Sequence, residues 1–71
     1  MKNVKVLKAL ESGPKTIEEV SEETGIPGME VRRYLLRFAE QGKVESYQKE
    51  GKLFWKLREE DETEKEFKYV G

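Results

Sequence analysis

The sequence predicts a mainly α fold in which three helices follow one another and a small β-hairpin closes the chain. Three observations carry that expectation. Thr16 followed by Glu19 is a capping-box start, and Gly25 is the residue type that ends a helix in the left-handed region. Apolar residues recur at helical spacing up to Phe38, whereas after Gly42 the period falls from about 3.6 residues to about 2. The two alternating runs that follow are separated by Lys49-Glu50-Gly51, a glycine-containing connection suited to a hairpin.

Taken in order, Lys2 to Glu11 is the first expected helix. Val6, Leu7 and Leu10 form its buried stripe with Val4 at the edge, while Lys2, Lys5 and Lys8 share another arc. Ser12-Gly13-Pro14 stops it, because proline cannot continue a helix and glycine supplies the cap. Lys15-Thr16 is too short for a strand of its own, but an extended residue there can edge a small sheet. The second helix runs from about Ile17 to Thr24, with Ile17 and Val20 facing inward and Ser21 a small residue where another helix can approach. Ile26-Pro27 turns the corner, as two helices crossing steeply over a short turn require.

The third helix runs from about Gly28 to Gln41 and ends at Gly42. Its residues are about 100° apart around the axis. Val31, Leu35 and Phe38 therefore define the buried direction, with Tyr34 and Ala39 on its flanks. Met29, Arg33, Leu36, Arg37 and Glu40 lie on the opposite arc, with Arg32 to one side. In the first strand Val44 and Tyr47 take opposite faces. In the second, Leu53, Trp55 and Leu57 share one face, and Lys52, Phe54 and Lys56 share the other. Trp55 is expected to pack as core across the base of the third helix.

Composition narrows the function. Seventy-one residues allow one small domain. A chain of that size buries only roughly 60% of its unfolded surface. No apolar run exceeds three residues and mean hydropathy is -0.87, far from a membrane span. The start of the chain has no signal-peptide apolar region, which points to a cytoplasmic protein. With neither Cys nor His, disulfides, zinc-finger sites and histidine bases are excluded. Gly25-Ile26-Pro27-Gly28 lacks the spacing of a phosphate loop, and Glu18-Glu19 and Glu22-Glu23 lack that of a calcium loop. No catalytic residue, cofactor or metal is therefore expected, and the chain is not expected to be an enzyme. Charged residues make up 41% of the chain while Asn and Gln number three, the Lys/Glu-rich, amide-poor trend of hyperthermophile proteins.

Charge is unevenly placed. Residues 1–58 carry twelve Lys/Arg and nine Asp/Glu, a net +3, whereas residues 59–71 carry two Lys and six acids, a net -4. We read residues 1–58 as one folded domain and residues 59–71 as an acidic C-terminal tail. Six acids in eight residues favour a solvated tail, yet Phe67, Tyr69 and Val70 are costly to leave exposed. The tail can thus be a further element docking on the first helix or a partner, or a cover for the basic face.

The order of elements, with GPKTIEEVSEETGIP, VRRYLLRFAEQGKVE and KLFWKL as the stretches that carry it, resembles the winged helix-turn-helix domains of small bacterial and archaeal transcription regulators. ArsR-like and MarR-like proteins are the nearest comparison, and the likeness covers most of Met1 to Leu57. It implies sequence-specific binding of double-stranded DNA, with the third helix in the major groove, a wing on the backbone, and a role in transcription regulation. The alternative within the same fold is a protein-interaction module of a larger assembly such as transcription machinery. A likeness to winged helices that bind left-handed DNA fails. Their recognition-helix asparagine and tyrosine are replaced by Arg32 and Leu36, and Leu53-Phe54 stand before Trp55 where prolines would be.

On the residues themselves, arginine offers bidentate hydrogen bonds to guanine and a charge for phosphate. We take Met29, Arg32, Arg33 and Leu36 as base-facing, and Arg37, Lys49 and Lys52 as phosphate-facing. The competing structural reading pairs Arg32, Arg33 and Arg37 with Glu30, Glu40 and Glu18 or Glu19 as an ordinary solvated surface. Lysines at a hairpin tip also discourage edge-to-edge strand pairing. One module of this kind covers only about 600–1,000 Å² of protein surface on DNA, so a homodimer or a protein partner is expected, through the Lys2–Leu10 helix or the 59–71 tail.

Overall fold

The computed structural model describes residues 2–58. Helix α1 spans Lys2–Ala9 and passes into a single 3-10 turn, Leu10–Ser12; α2 spans Ile17–Thr24 and α3 Gly28–Glu40; strands β1 (Val44–Lys49) and β2 (Lys52–Leu57) form an antiparallel hairpin. Three helices followed by a hairpin is the expected fold class. The acidic segment from Glu59 lies outside the described residues, and so do the two expectations attached to it.

The core is formed where the apolar stripes converge. Val6, Ala9 and Leu10 meet Val20, Ile26, Val31, Leu35, Phe38, Val44 and Trp55, with Leu7, Ile17, Tyr34 and Leu57 packed half-buried around them. No charged or polar side chain is buried among the described residues. Trp55 is 4% exposed, so the aromatic expected to pack as core does so. Helix α1 is shorter than expected because its last turn tightens into the 3-10 turn, where Leu10 is buried as expected. Ala39 is exposed rather than flanking the buried direction, Phe38 being the last buried residue of α3.

Helix α2 forms where it does because both ends are specified locally. Thr16 Oγ1 accepts from the Glu19 amide at 3.1 Å, and the Glu19 carboxylate accepts from the Thr16 amide at 3.0 Å. Gly25 ends the helix at φ 78° and sends its N–H back to the Ser21 carbonyl at 2.8 Å. The turn to α3 is then fastened by side chains. Ser21 Oγ donates to the Ile26 carbonyl at 2.6 Å, while Thr24 Oγ1 donates to the Val20 carbonyl at 2.7 Å and accepts from the Ile26 amide at 3.2 Å. Both backbone groups of buried Ile26 are thus satisfied by hydroxyls of α2. Ser21 does more than leave room for a neighbouring helix.

Lys15 supplies the extended residue that edges the sheet. Its amide donates to the Trp55 carbonyl at 2.9 Å and its carbonyl accepts from the Trp55 amide at 2.8 Å. This bridge pins β2 beside the start of α2. The hairpin connection is two residues, shorter than the three-residue reading: Lys49 pairs directly with Lys52, and Glu50 and Gly51 both have positive φ, 53° and 78°. Positive φ at both central residues is the type I′ pattern, whose twist matches that of the strands. Leu53 shares the face of Trp55, as expected, but toward the hairpin tip it is 42% exposed. No helix among the described residues is long and apolar enough to cross a membrane.

Candidate nucleic-acid interface

The expected contact residues fall into two groups. On α3, Met29 is 81% exposed and Leu36 43%, and Arg32, Arg33 and Arg37 are exposed beside them. The outward arc expected from the 100° spacing is therefore present, and α3 is its rigid support. On the hairpin, Lys49 and Lys52 face each other across the two-residue tip, both exposed.

The electrostatics of this surface turn on which cations are already paired. Among the described residues, ion pairs join Lys2 to Glu30 at 3.3 Å, Lys15 to Glu23 at 3.7 Å and Lys56 to Glu45 at 3.6 Å. None involves Arg32, Arg33, Arg37, Lys49 or Lys52, so the solvated-pair reading of the three arginines is not what the described residues adopt. The Lys2–Glu30 pair instead neutralises the acid in the first turn of α3 and sets the start of α1 beside it.

Helix α2 lies between the two groups and is acidic. Met29 and Arg32 border a shallow groove with Ile17, Glu18 and Glu22 of α2, while Lys52, Leu53 and Phe54 border a second one with Thr16, Ile17, Glu18 and Glu19. Glu18 edges both. Arg32 therefore sits beside acids without an ion pair to either, whereas Arg33 and Arg37 do not border that groove. Sequence spacing does not place Glu18, because its position depends on how α2 crosses α3 and on the Lys15–Trp55 bridge.

The hairpin also carries an aromatic pair that sequence reasoning missed. The register sets Tyr47 directly opposite Phe54, and their rings stack at 5.7 Å between centroids with 20° between planes. Alternation alone places both on the outer face of the hairpin, but pairing them requires the two-residue turn. Among the described residues no group of three or more acids gathers as a metal site.

Residues 1–46 match the family described as the IclR helix-turn-helix domain. No curated protein matches in sequence. Two solved structures of a fragment (1–100) from Mycobacterium bovis are similar in fold. One is a solution structure described as the homodimeric winged helix-turn-helix DNA-binding domain of Mb0332, a possible ArsR-family transcriptional regulator, with a TM-score of 0.77 at 20% identity over 97% of this chain. The other, a crystal structure of a possible transcriptional regulatory protein, gives 0.76 at 20% identity over 97% of this chain. The chain spans 63% of the first and 73% of the second. At that identity the likeness establishes the winged helix-turn-helix fold, in agreement with the resemblance carried by the sequence.

Proposed function

The chain belongs to the IclR helix-turn-helix domain family, and on that premise we propose that it binds double-stranded DNA sequence-specifically, as the DNA-reading part of a transcriptional regulator in the cytoplasm. The observation that carries this reading is the state of the arginines on α3. Arg32, Arg33 and Arg37 are exposed on one helix and form no ion pair among the described residues. A helix presenting unpaired guanidiniums beside apolar Met29 and Leu36 carries the side chains that read guanine edges and thymine methyls.

In this reading α3 enters the major groove. Met29, Arg32, Arg33 and Leu36 face bases, and Arg37, Lys49 and Lys52 bind phosphate. Of the arginines, Arg33 carries the larger share, since Arg32 lies beside Glu18 and Glu22. Specificity then comes from pairing two modules on a two-fold site. The Mycobacterium bovis domain is described as homodimeric, and here α1, with exposed Val4, Lys5 and Lys8, or the 59–71 segment is the surface for a second copy or a protein partner.

The test is a titration of the full chain with mixed-sequence duplex DNA across a range of salt. Binding is expected to weaken steeply as salt rises. Arg37→Ala with Lys52→Ala should flatten the slope of log K against log salt by roughly 2, close to one unit for each cation removed from the phosphates. Absence of binding by the unaltered chain at low salt would sink the proposal.

A further inference from the structure

We infer that the outer face of the hairpin is a second nucleic-acid site, a stacking platform for the unpaired bases of a single strand, built from Tyr47 backed by Phe54 with Lys49 and Lys52 at its end. This goes beyond duplex reading by α3 and does not depend on it.

The argument begins with the sheet. Side chains alternate across a strand, so Trp55 at the core leaves Phe54 and Lys56 on the other face. The register then makes three outward cross-strand pairs: Glu45 with Lys56, Tyr47 with Phe54, and Lys49 with Lys52. The first pair is an ion pair at 3.6 Å and cancels its own charge. The second is the aromatic stack. The third consists of two cations at the tip, neither engaged in an ion pair among the described residues.

A cross-strand aromatic pair by itself stabilises a hairpin. Two features take this one further. Tyr47 is 37% exposed, whereas Phe54 is half-buried against the groove that leads to Thr16 and Ile17. Phe54 therefore holds Tyr47 in place while Tyr47 keeps open ring surface. The cations are also close by in the strands: Lys49 follows Tyr47, and Lys52 precedes Phe54, by two residues, a backbone spacing of about 7 Å. A base laid on Tyr47 extends the Phe54–Tyr47 stack by one ring, and the phosphate beside it meets Lys49 and Lys52. That combination of aromatic face and adjacent cations is what proteins use to hold single strands without regard to sequence. A base inside a duplex offers no free face, so the platform selects unpaired nucleotides.

The experiment uses the full chain and a labelled oligo-dT of about a dozen nucleotides, within the range of single-strand site sizes. Fluorescence anisotropy should show salt-dependent binding. Tyr47→Leu, which keeps an apolar partner for Phe54, should weaken it roughly 5- to 150-fold, while Tyr47→Phe should stay within about twofold. Both variants should bind duplex DNA as the unaltered chain does. In proton NMR of the unaltered chain, oligo-dT should move the ring resonances of Tyr47 and Phe54, which holds the idea to account even if Tyr47→Leu unfolds. Oligo-dT binding that shifts α3 but leaves both rings unmoved would overturn the proposal. So would an equal loss of duplex and single-strand binding in Tyr47→Leu, or no oligo-dT binding at low salt. Failure of duplex binding alone would sink the α3 reading and leave the platform standing.

Discussion

Removing the Ser21 hydroxyl should unfasten the turn on which α3 depends. Ser21 Oγ is the group that satisfies the Ile26 carbonyl, at 2.6 Å, and Ile26 is 4% exposed. Ser21→Ala leaves that carbonyl without its partner in a place water reaches poorly, which costs about 1–3 kcal/mol. A domain of this length is stable by about 4–10 kcal/mol. A central loss of about 2 kcal/mol should lower the thermal midpoint by about 8–16 °C. Thr24→Val, nearly the same shape, removes the acceptor for the Ile26 amide and should cost a similar amount. The two hydroxyls hold opposite sides of one residue, so the double variant should lose less than the sum of the singles. Circular dichroism melts of all four proteins measure this, with urea titrations to confirm that the m-value is unchanged. A Ser21→Ala protein melting within 2 °C of the parent, on the order of 0.3–0.5 kcal/mol, would show that the turn does not rely on this bond.

Two further outcomes follow from local backbone chemistry. Glu50 occupies φ 53° at the hairpin tip, a conformation that asparagine tolerates better. Glu50→Asn should therefore raise stability by about 0.5–1 kcal/mol in a urea titration. The same change removes an acid from beside Lys49 and Lys52, so duplex affinity at low salt should rise. Thr16→Ala breaks the capping box of α2 and should cost about 1 kcal/mol by the same measurement, without altering the salt dependence of DNA binding.

What is legible in the sequence is what neighbours in the chain decide. The Thr16–Glu19 box and the left-handed Gly25 each need only a few consecutive residues, and both ends of α2 fall where those residues put them. The change of period after Gly42 is likewise local, and the hairpin begins at Val44. The features that escape a sequence reading depend on distant partners. Ser21 reads as a small spacer because its acceptor, the Ile26 carbonyl, comes within reach only once α2 has ended and the chain has turned back. Alternation puts Leu53 on the face of Trp55 because it says which face a residue takes and not how far the core extends. The Lys15–Trp55 bridge joins β2 to the chain before α2, and Leu53 lies two residues beyond it toward the hairpin tip. On the site, exposure of the α3 arginines follows from helical spacing, but their freedom from Glu30 does not. Glu30 is drawn off by Lys2, twenty-eight positions away.

The placement of charge also constrains how duplex DNA could sit. Four of the nine acids in residues 1–58 are on α2, at Glu18, Glu19, Glu22 and Glu23. Glu19 is committed to its cap and Glu23 to Lys15, but Glu18 and Glu22 are exposed and without an ion pair among the described residues. Because Glu18 edges the grooves toward both α3 and the wing, phosphate brought down evenly on this surface meets a negative charge between the two cationic groups. In the proposed binding mode, attraction is strongest along α3 toward Arg33 and Arg37 and at the wing tip, away from the acids of α2. Each module then brings only these few cations to the phosphates, and a second copy adds the contacts that one module lacks. Neutralising Glu18 should on this argument strengthen duplex binding, whereas neutralising Glu11, in the 3-10 turn after α1, should leave it unchanged.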